Sequence, residues 1–274
     1  LGELDEEAVA ELAGLCLACG RCEKLCPQGV KVPELMARLR AEHPRFRQWL
    51  WRQWITRLAP FWGAAATGAN LVPEALIPAN FGLAMKGLKG LKPGGGLRPW
   101  LTVTSLPAEA FREKHGARPV ALFHGCVGGG PKRRWADMAE GLVRGLGANL
   151  VTPGFSCCGS TLGVAGLPED QKHARLVNVA AWRSAGEPLL ATYCATCHKG
   201  LLEYSSGGAD VLESGEAAAR WKAAIVPLSA LLAGMTVKAG HRGGAGAPAL
   251  AAWHEPCHAP KSDAELVTSL LGTR

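Results

Sequence analysis

Ten cysteines constrain this chain more than any other feature, because they fall into two groups whose spacing suits metal chemistry. Cys16, Cys19, Cys22 and Cys26 stand in one short stretch, L-C-L-A-C-G-R-C-E-K-L-C-P, while Cys126, Cys157, Cys158, Cys194, Cys197 and Cys257 are spread through the C-terminal part. The first group has the C-x2-C-x2-C-x3-C-P form that turns thiolates toward a cubane 4Fe-4S cluster and directs the fourth to a neighbouring one. Two residues between ligands let a tight loop aim three sulfurs at one point. Gly20 can take the positive φ that such a loop needs, loop amides can donate to sulfide, and Pro27 ends the loop. A zinc site is the competing reading, but C-x2-C pairs bind zinc as two separated pairs. A disulfide framework belongs to short secreted chains; this one has 274 residues and does not open on a signal peptide.

With 48% hydrophobic residues the chain can bury a sizeable core, and its length suits two or three modules at roughly 100–200 residues each. Lys92 to Gly96 and Gly240 to Gly246 read as flexible connections. The net charge of +7 is concentrated between Arg38 and Arg57 rather than spread as a stripe for nucleic acid, so no nucleic-acid partner is expected. Within that stretch, R-F-R-Q-W-L-W-R-Q-W-I-T-R-L from Arg45 to Leu58 puts Phe46, Trp49, Leu50, Trp54 and Leu58 at helical spacing, with Arg45, Arg47, Arg52 and Arg57 interleaved. Such a basic, aromatic helix serves as a docking surface for an acidic partner or for a membrane interface, or it packs its tryptophans on the chain's own core. Residues 58–85 hold one ionised residue, Glu74, yet Pro60, Pro73, Pro78, Gly63 and Gly68 argue against a continuous membrane-spanning helix.

From Pro119 onward short apolar runs alternate with helical patterns. Strands are expected at Pro119–Phe123, Asn149–Val151 and Pro188–Thr192, and helices at Arg133–Leu146, Glu169–Ala185, His198–Tyr204 and Ala217–Ala233. A further strand, Ala249–Trp253, opens a second unit. Alternation of this kind implies an α/β fold with a parallel sheet, whose binding sites lie at the carboxyl ends of the strands. Cys126, the Cys157-Cys158 pair and the Cys194-x-x-Cys197 pair each follow one strand, so these thiols should converge on one edge, with Cys257 nearby. Adjacent cysteines are poor disulfide partners.

The order Cys126, Cys157-Cys158-Gly159, Cys194-x-x-Cys197 resembles the cysteine-rich CCG domain of heterodisulfide reductase and of the iron–sulfur subunits of glycolate oxidase, D-lactate dehydrogenase and anaerobic glycerol-3-phosphate dehydrogenase. The segment His254-Glu-Pro-Cys-His258 is similar to the opening of a second CCG repeat, and the N-terminal motif is similar to a helical ferredoxin module. Glu203-Tyr204, closing Y-C-A-T-C-H-K-G-L-L-E-Y, resembles the glycolate-oxidase type. The resemblance implies a partial 4Fe-4S ferredoxin module over 1–44, a helical linker or docking region over 45–117, a first CCG repeat over 118–240 and a truncated second repeat over 241–274. It also implies Cys126, Cys157, Cys158, Cys194 and Cys197 as ligands of a second, non-cubane iron–sulfur cluster, with Cys257 as a further cofactor-binding residue.

Relatives of this kind carry two C-x2-C-x2-C-x3-C-P motifs; here no cysteine precedes Cys16 or falls between Cys26 and Cys126, and the second repeat stops before its Cys-Cys-Gly, so the chain reads as a fragment. The function implied is that of an oxidoreductase subunit. An FAD-containing partner would oxidise glycolate, D-lactate or glycerol 3-phosphate, and this subunit would pass the electrons to a quinone or other acceptor, in the cytoplasm or at the inner face of the cell membrane. A thiol/disulfide subunit of heterodisulfide-reductase type is the alternative, and a zinc-stabilised interaction module is another. No catalytic residue for substrate oxidation is expected here, since the sequence has no Rossmann fingerprint, P-loop or Ser/His/Asp set. His124, His198, His254 and His258 stand near cysteines and could tune a cluster through hydrogen bonds or replace a ligand.

Overall fold

The computed structural model describes residues 5–78, 82–91, 101–103, 108–205, 211–233, 239–241 and 255–271. Helices α1 (Glu6–Leu15), α2 (Arg21–Leu25), α3 (Val32–Glu42), α4 (Phe46–Thr56), α5 (Trp62–Leu71) and α6 (Gly82–Gly90) come first, followed by strand β1 (Leu101–Val103) and helix α7 (Ala108–His115). Local sequence sets these ends. Asp5 caps α1 by accepting the Ala8 N–H at 2.7 Å, with Glu6 and Glu7 in the first turn where the helix dipole favours acids. Gly20 precedes α2 at φ 72°, and Pro33 sits in the first turn of α3, where its missing N–H costs nothing.

The second half is the expected α/β unit: β2 (Val120–Phe123), α8 (Gly125–Gly128), α9 (Arg133–Gly145), β3 (Leu150–Val151), α10 (Ser160–Val164), α11 (Pro168–Ser184), β4 (Leu189–Thr192), α12 (Ala195–Leu202), α13 (Gly215–Ala224), β5 (Ile225–Pro227) and α14 (Leu228–Leu232). Four parallel strands lie in the order β3-β2-β4-β5, with Phe123 opposite Thr192 and Ala121 opposite Val151. Every residue of β2 and β4 is buried, because the sheet is covered on both faces. The period of two sends Val120 and Leu122 toward Val143 of α9, Leu146 just past its end and Leu231 of α14, while Ala121 and Phe123 face Val179 and Trp182 of α11 and Trp221 of α13.

The crossover from β2 to β3 therefore runs over one face and the crossover from β3 to β4 over the other. The chain reverses its direction of travel across the sheet between β2 and β4, and the segments leaving their carboxyl ends diverge. That crevice is where open parallel sheets bind ligands, and it is where the cysteines lie.

Four expectations are corrected. Ala217–Ala233 is not one helix, because Ile225 and Val226, two β-branched residues, pair with Leu190 and Ala191 and add the fourth strand, after which Pro227 precedes a new helix. The linker region 45–117 is not wholly helical: β1 pairs antiparallel with β6 (Ala239–His241), so Gly240, read as part of a flexible connection, lies in a strand. The helix expected from His198 starts three residues earlier and includes Cys197. The apolar stripe assigned to α4 is divided, for Trp54 packs inward beside Ile55 and stacks on Trp62 at 5.6 Å, leaving Phe46, Trp49 and Leu50 outside. The strand expected at Ala249–Trp253 lies outside the described residues, as do Lys92–Gly96.

The N-terminal helices dock on the sheet unit through Arg40. Its guanidinium donates to the carbonyls of Ala13 (2.5 and 2.9 Å) and Cys16 (2.6 Å) on one side and to that of Val164 (2.5 Å), in α10, on the other. Gly166 lies so close to α3 that a Cβ there would stand 2.7 Å from the Ala41 nitrogen. Among the described residues no helix is long and apolar enough to cross a membrane.

Candidate metal centre

All ten cysteines are free thiols, and five of them meet at the crevice. Cys126 lies in α8 after β2, Cys157 and Cys158 follow β3, and Cys194 is the residue before α12, with Cys197 in its first turn. Their sulfurs form a hydrogen-bonded chain, in which Cys157 donates to Cys126, Cys158 to Cys157, and Cys197 faces both Cys158 and Cys194. Convergence of these five on one sheet edge was the sharpest expectation of the sequence, and the structure places them so.

The chain of thiols sorts its own protons. Cys126 and Cys194, at the two ends, accept from their neighbours and are drawn down, Cys194 to about 6 with help from the amides of Cys197 and Thr196. Cys157 and Cys158 are donors and are pushed up to about 11, and Cys197, bonded to Cys158 and Cys194 and buried, is also raised. Near neutral pH Cys194 carries charge while Cys157 and Cys158 keep their protons, because further thiolates would crowd like charges in a half-buried crevice. Removing the remaining protons requires a cationic centre, as metal binding to thiolates does.

Glycines make room for the sulfurs. Gly125, at φ 64°, would place a Cβ 2.8 Å from the Cys197 sulfur. Gly159, at φ 83°, turns the chain into α10 against the Gln171 backbone while its amide donates to the Cys157 sulfur at 3.4 Å.

A buried polar brace holds the Cys157-Cys158 turn. Asn178 of α11, fully buried, accepts the Ser156 N–H at 2.7 Å and donates to the Cys157 carbonyl at 2.9 Å and to the Tyr204 hydroxyl at 3.0 Å. Tyr204 in turn donates to the Cys158 carbonyl at 3.0 Å, stacks on Trp221 at 5.1 Å and lies beneath the Arg175 guanidinium. Burial drives the Tyr204 phenol upward, so it remains a donor. Sequence reasoning noticed Tyr204 only as part of a resemblance and missed Asn178. The available signal was a short amide at the centre of the Ala174, Asn178, Trp182 stripe, all three of which are buried.

The histidines serve as hydrogen-bond partners. His124 Nδ1 lies 3.0 Å from the Tyr193 hydroxyl and its Nε2 3.1 Å from Glu140, so both ring nitrogens are engaged beside the thiols. His198 Nδ1 meets Thr192 Oγ1 at 3.0 Å, and burial lowers both histidines. His254 lies outside the described residues.

In the N-terminal motif Cys16, Cys19 and Cys26 are half-buried and Cys22 is exposed. Ala18, at φ 50°, donates its N–H to the Cys16 sulfur at 3.4 Å, and amides of Val30, Gln28 and Gly29 lower the Cys26 thiol. Cys257 is exposed in the turn before α15 (Lys261–Leu271) and is not one of the thiols in the chain; its neighbour His258 bonds the Ala18 backbone and lies beside Gly20. That turn is carried toward the N-terminal motif because Ser262 and Asp263 are tied to Ser229 of α14 at 2.7 and 2.5 Å.

Among the described residues, no three His, Cys, Asp or Glu side chains are disposed for a single metal ion. The CCG donor set nevertheless fits an iron–sulfur group: it is all thiol, it has amide donors at its sulfurs, and glycines wall it. Residues 120–201 match the cysteine-rich domain family, CCG. The match runs from β2 into α12 and contains all five converging cysteines. No curated protein and no solved structure matches the chain. The CCG domain and its thiol chain together suit an iron–sulfur redox role.

Proposed function

We propose that this chain is the iron–sulfur electron-transfer subunit of a flavin-dependent dehydrogenase acting on a 2-hydroxy acid, glycolate or D-lactate, or on glycerol 3-phosphate. The observation that carries the reading is the five-thiol chain at the crevice between β2 and β4, inside the matched CCG segment. Cys126, Cys157, Cys158, Cys194 and Cys197 would hold one iron–sulfur cluster and Cys16, Cys19, Cys22 and Cys26 would hold a 4Fe-4S cluster, with Cys26 directed to a neighbouring one. Such clusters supply one-electron steps, which is what a flavin giving up a pair of electrons toward a quinone requires. The chain's own contribution is to exclude water with the Phe123, Phe155 and Leu201 side of the core, to set the Cys157-Cys158 turn through Asn178 and Tyr204, and to fix the two cysteine groups relative to each other through Arg40.

The test is electron transfer from a defined donor. The cluster-loaded chain, mixed anaerobically with a flavoprotein encoded beside it, should lose visible absorbance when the hydroxy acid or glycerol 3-phosphate is added, and should keep it when flavoprotein or substrate is omitted. Absence of bleaching with all three substrates would refute the dehydrogenase reading. A heterodisulfide-reductase type of thiol chemistry is the second reading. It draws support from Cys194, which precedes α12 in a C-x-x-C pair and receives amide bonds as a nucleophilic thiolate does. Turnover of a heterodisulfide with reduced viologen, without any flavoprotein, would favour it.

A further inference from the structure

Helix α4 is held to the protein by one side and left bare on the other. On its inner side Ile55 is buried, Gln48 donates to the Arg40 carbonyl at 3.0 Å, and the Arg52 guanidinium grips Asp170 of α11 at 2.9 and 3.2 Å. Trp62 donates its indole N–H to the Trp54 carbonyl at 2.9 Å and closes that side. On the outer side Phe46, Trp49 and Leu50, spaced at i, i+3 and i+4, are 70%, 54% and 47% exposed, and the two rings stack on each other at 5.4 Å. Phe61, just beyond the helix, is 63% exposed.

Charge says what covers this stripe. No aspartate or glutamate occurs between Glu42 and Glu74, whereas Arg45 and Arg57 stand at the two ends of α4. Nothing on the segment would repel an anionic surface, and the arginines are placed at the ends of an apolar stripe as in helices that lie in a lipid headgroup layer. Tryptophan and phenylalanine side chains that protrude from a fixed helix insert into such a layer, which needs no matching recess. Arg52, within the helix, is committed to Asp170 and anchors the helix instead.

We propose that the outer stripe of α4 docks the protein on an anionic lipid surface, Phe46 and Trp49 entering the headgroup region with Arg45 and Arg57 on the lipid charges. The inference does not depend on the redox reading.

The test is sedimentation of the whole chain with vesicles of phosphatidylglycerol and phosphatidylcholine in equal parts, against vesicles of phosphatidylcholine alone. Binding should require the anionic lipid, weaken as salt is raised, and fall roughly tenfold or more in Phe46→Ser/Trp49→Ser. Because both side chains are exposed, the variant should keep the wild-type circular dichroism spectrum. Independently of any folding defect, brominated phosphatidylglycerol should quench the tryptophan fluorescence of the wild type more than that of Trp49→Phe. Equal binding to neutral vesicles, no binding to anionic ones, or quenching unaffected by Trp49→Phe would overturn the proposal. So would capture of the chain by polyglutamate without vesicle binding, which would assign the stripe to an acidic protein.

Discussion

Replacing Asn178 by alanine should loosen the Cys157-Cys158 turn at a cost that follows from its bonds. The substitution strands the Ser156 N–H, paired with the amide at 2.7 Å, and takes the 2.9 Å bond from the Cys157 carbonyl, which keeps the Ser156 hydroxyl at 3.3 Å, whereas Tyr204 keeps its bond to the Cys158 carbonyl. A buried polar group left unpaired costs about 1–3 kcal/mol. One part-buried N–H is stranded and one carbonyl keeps its second donor, so the cost is about 1–3 kcal/mol, a substantial share of a typical stability of about 5–15 kcal/mol. Tyr204→Phe strands the Cys158 carbonyl and one Asn178 N–H, both in buried bonds, and should cost more, about 2–6 kcal/mol. Because the Asn178 to Tyr204 bond of 3.0 Å is lost in either single variant, the double variant should cost less than the sum by at least about 0.5 kcal/mol. Urea unfolding of the reduced, metal-free protein under argon measures all three. An Asn178→Ala cost below about 1 kcal/mol, or strict additivity, would refute the brace.

Other perturbations reach the same site by different routes. Gly125→Ala puts a Cβ 2.8 Å from the Cys197 sulfur at a φ of 64°, so it should destabilise the fold by about 1–3 kcal/mol and lower iron loading, read by unfolding and metal analysis. In the metal-free protein Cys194, lowered to about 6, is a thiolate at neutral pH; its alkylation by iodoacetamide should rise through about pH 6 and then level off, while Cys157 and Cys158 gain reactivity only toward pH 11. Peptide mapping by mass spectrometry assigns the sites, and a Cys194 rate still rising above pH 8 would contradict the thiol chain. Arg40→Met removes the donors shared by Ala13, Cys16 and Val164, so it should cost about 2–4 kcal/mol and speed proteolysis in the Cys16–Cys26 loop well before the sheet unit is cut.

What could be read in advance was what depends on period and spacing. The strands at 120–123 and 189–192 are apolar runs between turn residues, and the cysteines after them had to share a sheet edge because parallel strands end together. Strand 225–227 was hidden because three residues interrupt an otherwise helical pattern, and only its pairing with Leu190 and Ala191 defines it. The pairing of 101–103 with 239–241 is remote in sequence and carries no periodic signal. Asn178 drew no notice within the helix expected at Glu169–Ala185, since its role exists only through the Ser156, Cys157 and Tyr204 groups that folding brings to it. In the same way Arg52 read as one more basic residue of a docking helix, whereas its partner Asp170 makes it an anchor.

The central claim is that the five converging thiols hold an iron–sulfur cluster, and its most direct measurement is metal and sulfide analysis of the anaerobically purified chain alongside its visible spectrum. The wild type should contain iron and acid-labile sulfide and be brown, with broad absorbance that dithionite bleaches. Cys158→Ser and Cys197→Ser should each lose one cluster's share of iron and sulfide while Cys19→Ser loses the other. A colourless protein holding stoichiometric zinc, or iron content unchanged by Cys158→Ser and Cys197→Ser, would contradict the account.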